Sequence, residues 1–253
     1  MSMIFILLMC PPLILGYRCI VWLFVKCFAQ KKTVIYDFQL CLNELEHDGG
    51  WFRDNRYLQV SVRDTFYIYT VQKMKKKLNV KKLIRFVNKL ANNMSNDGHV
   101  PWCFQKHWLG DEIPLYKYEN VSVIDANMQF IIMVHWLYEL DEQVTNTLYL
   151  YCQRAWQWLD INRANDTLHE AVGASWETSR HHKGVLLLSN VIMIHAIRCM
   201  ELVHMYEKNE RKLKQFQKLH ERAISTWTPE IYKTQETLPR ILAVYYNIVP
   251  RSF

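Results

Sequence analysis

The strongest constraint on this chain is a recurring pair of helical segments, one apolar nearly all round and the next apolar on one side only. "DANMQFIIMVHWLYEL" (125–140) and "GVLLLSNVIMIHAIRCMELVHMY" (184–206) are of the first kind. Each leads into a one-sided partner, "EQVTNTLYLYCQRAWQWLD" (142–160) and "ERKLKQFQKLHERAIST" (210–226). An earlier pair has the same order. Broadly apolar "VRDTFYIYTVQKMKKKL" (62–78) precedes "VKKLIRFVNKLANNM" (80–94), where Leu83, Phe86, Val87, Leu90 and Met94 fall at helical spacing. A fourth apolar segment, "TLPRILAVYYNIV", occupies 237–249. The apolar segments begin near 62, 124 and 184, roughly 60 residues apart. A helix apolar all round has to be enclosed by protein, and an amphipathic helix beside it shields it from water. Repeating that unit predicts an all-α fold with an inner and an outer ring of helices. The expected architecture is a partial α/α toroid of about three to four hairpins, following an apolar N-terminal segment.

That segment, "MIFILLMCPPLILGYRCIVWLFVKCFA" (3–29), is broken by Pro11 and Pro12 and carries Arg18 and Lys26. Its uninterrupted pieces are shorter than the ~20 apolar residues of a spanning helix. A membrane anchor, a cleaved signal peptide ending near Ala29 and an apolar structural arm all remain open. The sequence therefore divides into 1–30, a signal or anchor segment, and 31–253, the helical body. The expected location is membrane-associated or within the secretory pathway. The basic residues Arg18, Lys26, Lys31 and Lys32 favour a cytoplasmic body, whereas N-x-S/T triplets at Asn93, Asn120 and Asn165 suit a lumenal one. The net charge of +7 is concentrated in "KMKKKLNVKK" (73–82), which reads as a solvated helix end; no nucleic-acid motif accompanies it, and no nucleic-acid partner is expected. The seven cysteines are scattered and form no CxxC, so they read as isolated buried thiols. No third ligand joins His181 and His182 at metal-site spacing, so neither a metal nor a cofactor is expected. His135, His195 and His204 lie on apolar helices and read as satisfied core histidines.

Polar residues gather where the inner helices begin: Arg63 and Asp64 at the first, Asp125 at the second, Trp176 and Glu177 at the third. In a ring of hairpins these entrances converge on one face. Acidic residues at helix starts also have a simpler reading, interaction with the helix dipole worth ~0.3–1 kcal/mol each.

These segments resemble the α/α six-hairpin glycosidases, the superfamily of glucoamylases, trehalases, glycogen-debranching glucosidases and neutral invertases. "VRDTFYIYT" resembles their R-D-S/T entrance. "DGHVPWCF…ENVSVIDANMQFI" is similar to their G-x-I/V-P loop and S-x-D-A helix. "ASWETSRHHKGVLLLSN" is similar to their W-D loop and G-K-x-L-x-x-N helix, and "TWTPEIYKTQETLPRILAVYYNIV" to their F-W-x-P segment. The resemblance covers roughly residues 48–250. It implies a protein that acts on α-linked glucosides, or derives from enzymes that do. Glu177 would then be the general acid, Arg63, Asp64 and Asp125 would hold the terminal sugar, and Trp102 and Trp176 would pack against it. Glu stands where the family has Asp, and about three hairpins stand where it has six. An inverting glycosidase needs two carboxyl groups about 6.5–9.5 Å apart, and the later hairpin that supplies the second has no counterpart here. The competing expectation is a catalytically degenerate, membrane-associated interaction or envelope protein that keeps the shell.

Overall fold

The structure is a computed structural model that describes residues 46–51, 59–106, 112–118, 121–140, 146–161, 163–164, 167–168, 187–233 and 237–249. The chain divides into two units, Met1–Glu46 and His47–Phe253, and the helical body is the second. Residues 3–29 and the boundary drawn at residue 30 lie outside the described residues, as do Trp176, Glu177, His181 and His182.

The body is mostly helical, with seven helices among the described residues. They are α1 (Val62–Met74), α2 (Val80–Asn92), α3 (Asp125–Glu139), α4 (Asn146–Ile161), α5 (Leu187–Tyr206), α6 (Glu210–Lys233) and α7 (Thr237–Tyr245). The apolar-all-round segments become the buried helices. Every residue of α3 from Asp125 to Leu137 is buried. On α5 burial runs almost unbroken from Ser189 to His204. The one-sided segments bury one stripe each: Leu83, Phe86, Val87 and Leu90 on α2, and Phe216, Leu219, Ala223, Trp227 and Ile231 on α6. α1 is less enclosed than α3 or α5 and buries Val62, Thr65, Phe66, Tyr69 and Thr70.

α3 with α4 and α5 with α6 pack as consecutive pairs, whereas α2 packs chiefly on α3 and α4. α3 lies against α1 on one side and α5 on the other, and α5 lies against α7. α2 and α4 both cover α3, whereas α6 covers α5 and touches α7. Phe66 of α1 stacks on Trp136 of α3 with ring centroids 5.6 Å apart, and Trp156 of α4 meets Phe216 of α6 edge-on at 5.0 Å. α1 and α3 run in the same direction, because ion pairs tie them at both ends: Arg63 to Asp125 at their starts and Lys73 to Glu139 at their finishes.

Strands precede α1 and occupy part of the stretch between α2 and α3, where an all-α fold was expected. β1 (Gln59–Ser61), β2 (Cys103–Lys106) and β3 (Glu112–Leu115) form an antiparallel sheet, with Val60 opposite Phe104 and Phe104 opposite Pro114. The sheet carries the chain across the front of α1. Val62 N donates to Trp102 O at 2.9 Å and Trp102 N to Leu115 O at 2.8 Å, so the backbone groups exposed at the helix start are satisfied by the loop. Two-residue ribbons occur at 117–122 and 163–168.

α5 is the one described helix long and apolar enough to cross a membrane, and 72% of its apolar stretch is buried against protein, the condition of a core helix.

Candidate functional site

The starts of α1 and α3 form the described part of the expected site. Ser61 caps α1: its Oγ accepts from Asp64 N at 3.2 Å, and Asp64 adds a carboxylate to the first turn. One residue before it, Arg63 Nε donates to Asp125 Oδ2 at 2.6 Å. Both side chains are largely covered, with 14% of the arginine and 6% of the aspartate exposed. Gln129, one turn further along α3, also donates to Asp125 Oδ2, at 3.3 Å. A carboxylate enclosed this way has two donors and little contact with water. Its first consequence is structural, the alignment of α1 and α3.

Trp102 lies immediately in front of this pair. Its backbone carbonyl accepts from Val62 N, its Nε1 donates to Lys117 O at 3.2 Å, and the residue is 6% exposed. The Trp102 backbone thus ties the loop to the start of α1, and its indole ties the loop to Lys117. Of the expected substrate-binding residues, Arg63 and Asp125 thus meet where α1 and α3 begin, Asp64 follows in the first turn of α1, and Trp102 is joined to that turn through Val62 N. Trp176 and Glu177 fall outside the described residues.

The loop after α2 is held by a residue that the sequence did not single out. Asn127, on α3 and fully buried, donates through Nδ2 to Gly98 O at 2.8 Å and Ala155 O at 3.1 Å, and accepts from Val100 N at 3.0 Å. One amide therefore joins the "DGHVP" loop, α3 and α4. Gly98 has φ +95°, and a Cβ there would meet Arg154 O at 2.3 Å, so the close approach of loop to helix requires glycine. His99 stacks on Trp158 with centroids 3.9 Å apart, and its Nε2 meets Val123 O at 2.8 Å. Burial holds its pKa below the ordinary value.

The chain matches no protein-family model, and a search of curated proteins returns no match for it. The site therefore has to be read from its own chemistry.

A second polar group lies at the other end of the same helices. Lys73, His135, Trp136, Glu139, His195, Tyr245, Tyr246 and Asn247 line a cavity of about 200 Å³. Here the expectation of satisfied core histidines fails in part. His204 fits it, with Nδ1 3.0 Å from Tyr149 Oη. His135 does not: it is 3% exposed, and neither ring nitrogen has a hydrogen-bond partner within the chain. His195 stacks on Tyr246 with centroids 3.7 Å apart, and its Nε2 is 3.6 Å from Cys199 Sγ. It keeps some exposed surface, yet its Nδ1 is shielded from solvent and unpartnered, as is Tyr246 Oη. Burial lowers His135 to about 4, opposed by Glu139 and reinforced by Lys73 and Arg198. Burial also holds His195 well below the ordinary range, with the neighbouring His135 adding to the effect, and pushes the Tyr246 phenol well up. At neutral pH this group is two uncharged imidazoles and a phenol. An apolar periodicity argument cannot find such a group, because a histidine on a buried helix reads the same whether or not its nitrogens are bonded.

Among the described residues, no cluster of three or more His, Cys, Asp or Glu side chains is arranged to hold a metal ion. The buried thiols of Cys152 and Cys199 are pushed up by desolvation, away from thiolate reactivity.

Proposed function

We propose that this chain is a glycoside hydrolase-like protein built on a partial α/α toroid, with its carbohydrate site at the end where the inner helices begin. The observation that carries this reading is the meeting of Arg63 and Asp125 at the starts of two same-sense helices. Same-sense inner helices with outer helices between them are the element of a double ring, and in such a ring successive loops present their polar groups on one face. In this reading Arg63 and Asp64 hold hydroxyls of the terminal sugar of an α-linked glucoside, and Asp125 fixes the arginine. Trp102 and Trp176 pack against the sugar, and Glu177 protonates the leaving oxygen. A general acid of this kind contributes about 10²–10⁴-fold to the rate.

The test is hydrolysis of malto-oligosaccharides, trehalose and sucrose by the full chain, beside Glu177→Gln. The substitution keeps shape and removes the proton donor, so the expected result is a fall of about 10²–10⁴-fold with unchanged thermal stability. Equal rates in the two proteins would refute the catalytic role of Glu177.

A second reading, a catalytically degenerate membrane-associated interaction protein that retains the shell, is favoured by one observation. Asp125 is occupied by Arg63 and Gln129 and is 6% exposed on its side chain, which suits a structural tie better than a sugar ligand. Under this reading wild type hydrolyses none of the three substrates and Arg63 variants lose stability only.

A further inference from the structure

The basic run at 73–82 plays no part in the entrance end. It begins in the last turn of α1, about 15 Å along the helix from Arg63 at 1.5 Å per residue. α1, α3 and α5 finish together there. Lys73 pairs with Glu139, Tyr138 stacks on Tyr206 with ring centroids 5.4 Å apart, and Tyr138 Oη donates to Glu207 Oε1 at 2.7 Å. Four apolar side chains of these helix ends, Met74, Leu140, Met205 and Tyr206, are each between 42% and 49% exposed. Lys76, Lys77 and Lys208 are exposed in the turns that follow, and none is paired with a carboxylate among the described residues. Glu139 and Glu207 are already engaged by Lys73 and Tyr138, and Glu210 is followed by Arg211 and Lys212.

Two of these lysines occupy backbone positions that disfavour them. Lys77 N donates to Gln72 O at 2.8 Å after α1, and Asn209 N donates to His204 O at 2.9 Å after α5. The residue before each donor is left-handed, Lys76 with φ 55° and Lys208 with φ 54°. Such a closure ordinarily takes glycine or asparagine, because other side chains crowd the backbone there. α7 closes in the same way with Asn247, at φ 56°. Chain reversal alone therefore gives no reason for lysine at the two earlier turns. A residue kept in a disfavoured conformation points to a use for its side chain.

The chemistry of the surface selects the partner. Exposed ammonium groups call for an anion, and exposed methionine, leucine and tyrosine call for apolar cover. The helix dipoles present their negative ends here, so the lysines have to supply the attraction. An acidic polypeptide or a nucleic acid would answer the lysines and leave the apolar side chains in water. An anionic bilayer answers both, with phosphates at its surface, acyl chains beneath and a boundary that suits tyrosine. Lysine stems lie along such a boundary with the ammonium group among the headgroups. We propose that the end of the body where α1, α3 and α5 finish docks on an anionic lipid surface, with Met74, Leu140, Met205 and Tyr206 entering the headgroup layer and Lys76, Lys77 and Lys208 meeting the lipid phosphates. Docking in this sense turns the Arg63–Asp125 end away from the bilayer. The proposal uses no residue of that end and none of residues 3–29, so it stands apart from both readings above.

Lysine acylation on the full chain, read by mass spectrometry with and without vesicles, tests it. Vesicles of equimolar phosphatidylserine and phosphatidylcholine should protect Lys76, Lys77 and Lys208, and vesicles of phosphatidylcholine alone should not. Exposed Lys233, at the end of α6, should react alike in every case. Protection should fade as salt is raised. In Lys76→Asn/Lys208→Asn, the vesicle concentration that half-protects Lys77 should rise about thirtyfold, roughly fivefold for each lysine lost from the surface. Asparagine suits the left-handed position, so Tm should hold or rise and the weaker docking is not a folding defect. No protection by anionic vesicles, or equal protection by neutral ones, would overturn the proposal. So would an unchanged half-point in the double variant. Protection by poly-L-glutamate and not by vesicles would assign the surface to an acidic polypeptide instead.

Discussion

At the scale of single residues, the energetic centre of the entrance end is the Arg63–Asp125 pair. A buried ion pair contributes little net stability compared with an apolar replacement, but removing one partner strands the other charge at a cost of about 3–5 kcal/mol. Arg63→Met should therefore destabilise the body by about that amount, read as a drop in the urea midpoint at constant slope. The double variant Arg63→Met/Asp125→Leu should recover most of the loss, because no charge is left uncompensated. If the single variant costs nothing, the pair is solvated and the covered geometry is wrong. The spacing of the repeat brought Arg63 and Asp125 into view, since it placed both at helix starts. It gave no sign that they would touch. Asn127 stayed hidden for a different reason. On a helix with every neighbour apolar, one amide looks like a tolerated polar residue, and its three bonds to Gly98, Val100 and Ala155 exist only once loop and helices are assembled.

At the scale of elements, helix existence was legible because burial leaves a mark on composition. α3 and α5 read as enclosed from their sequence and are enclosed. Strands were not legible. β1 is three residues long and pairs with β2 across the whole of α1 and α2, so no local pattern announces it. The extent of α6 also exceeded its expected end at residue 226: the helix continues through Pro229 to Lys233. Proline inside a helix removes a backbone donor and crowds the carbonyl one turn back, a cost of about 3 kcal/mol in an exposed interior position. The helix persists because Trp227 and Ile231, on either side of the proline, are buried. Tertiary burial overrides local preference here, and the cost should be recoverable. Pro229 is exposed, so Pro229→Ala should raise Tm by several degrees, at about 2–4 °C for each kcal/mol in a domain of this size. A variant with unchanged or lower Tm would mean that Pro229 serves packing or limits the unfolded chain more than it strains the helix.

At the scale of the whole molecule, the helical body holds several histidines whose protonation burial opposes. His135 and His204 both fall to about 4 from an ordinary 6.5, with burial the largest cause in each case. His99 and His220 are lowered, and His195 is held well below the ordinary value, again chiefly by burial. Glu201 opposes the change at His220 and Glu139 opposes it at His135 without reversing either. The unfolded chain takes up these protons as pH falls through about 6.5, whereas the folded chain resists until about 4. Between those values the unfolded state binds more protons, so stability falls as pH falls. Below the lower value the folded state is protonated too, and the histidine contribution levels off. Each tenfold loss of proton affinity on folding corresponds to about 1.4 kcal/mol, so every buried histidine weighs against the folded state wherever the unfolded chain is protonated and the folded chain is not. The expected outcome is a Tm that drops steadily from about pH 7 to about pH 5.5, a window that lies above the range in which ordinary exposed carboxylates titrate. His135→Phe should flatten that slope, since one of the protons withheld from the folded state is gone. It should also hold or raise Tm at neutral pH, because replacing an unbonded buried imidazole with a ring of similar shape removes a desolvated polar group and leaves no cavity. A Tm that is level across the window would mean that α3 and α5 open to water at these histidines and are less enclosed than their packing implies.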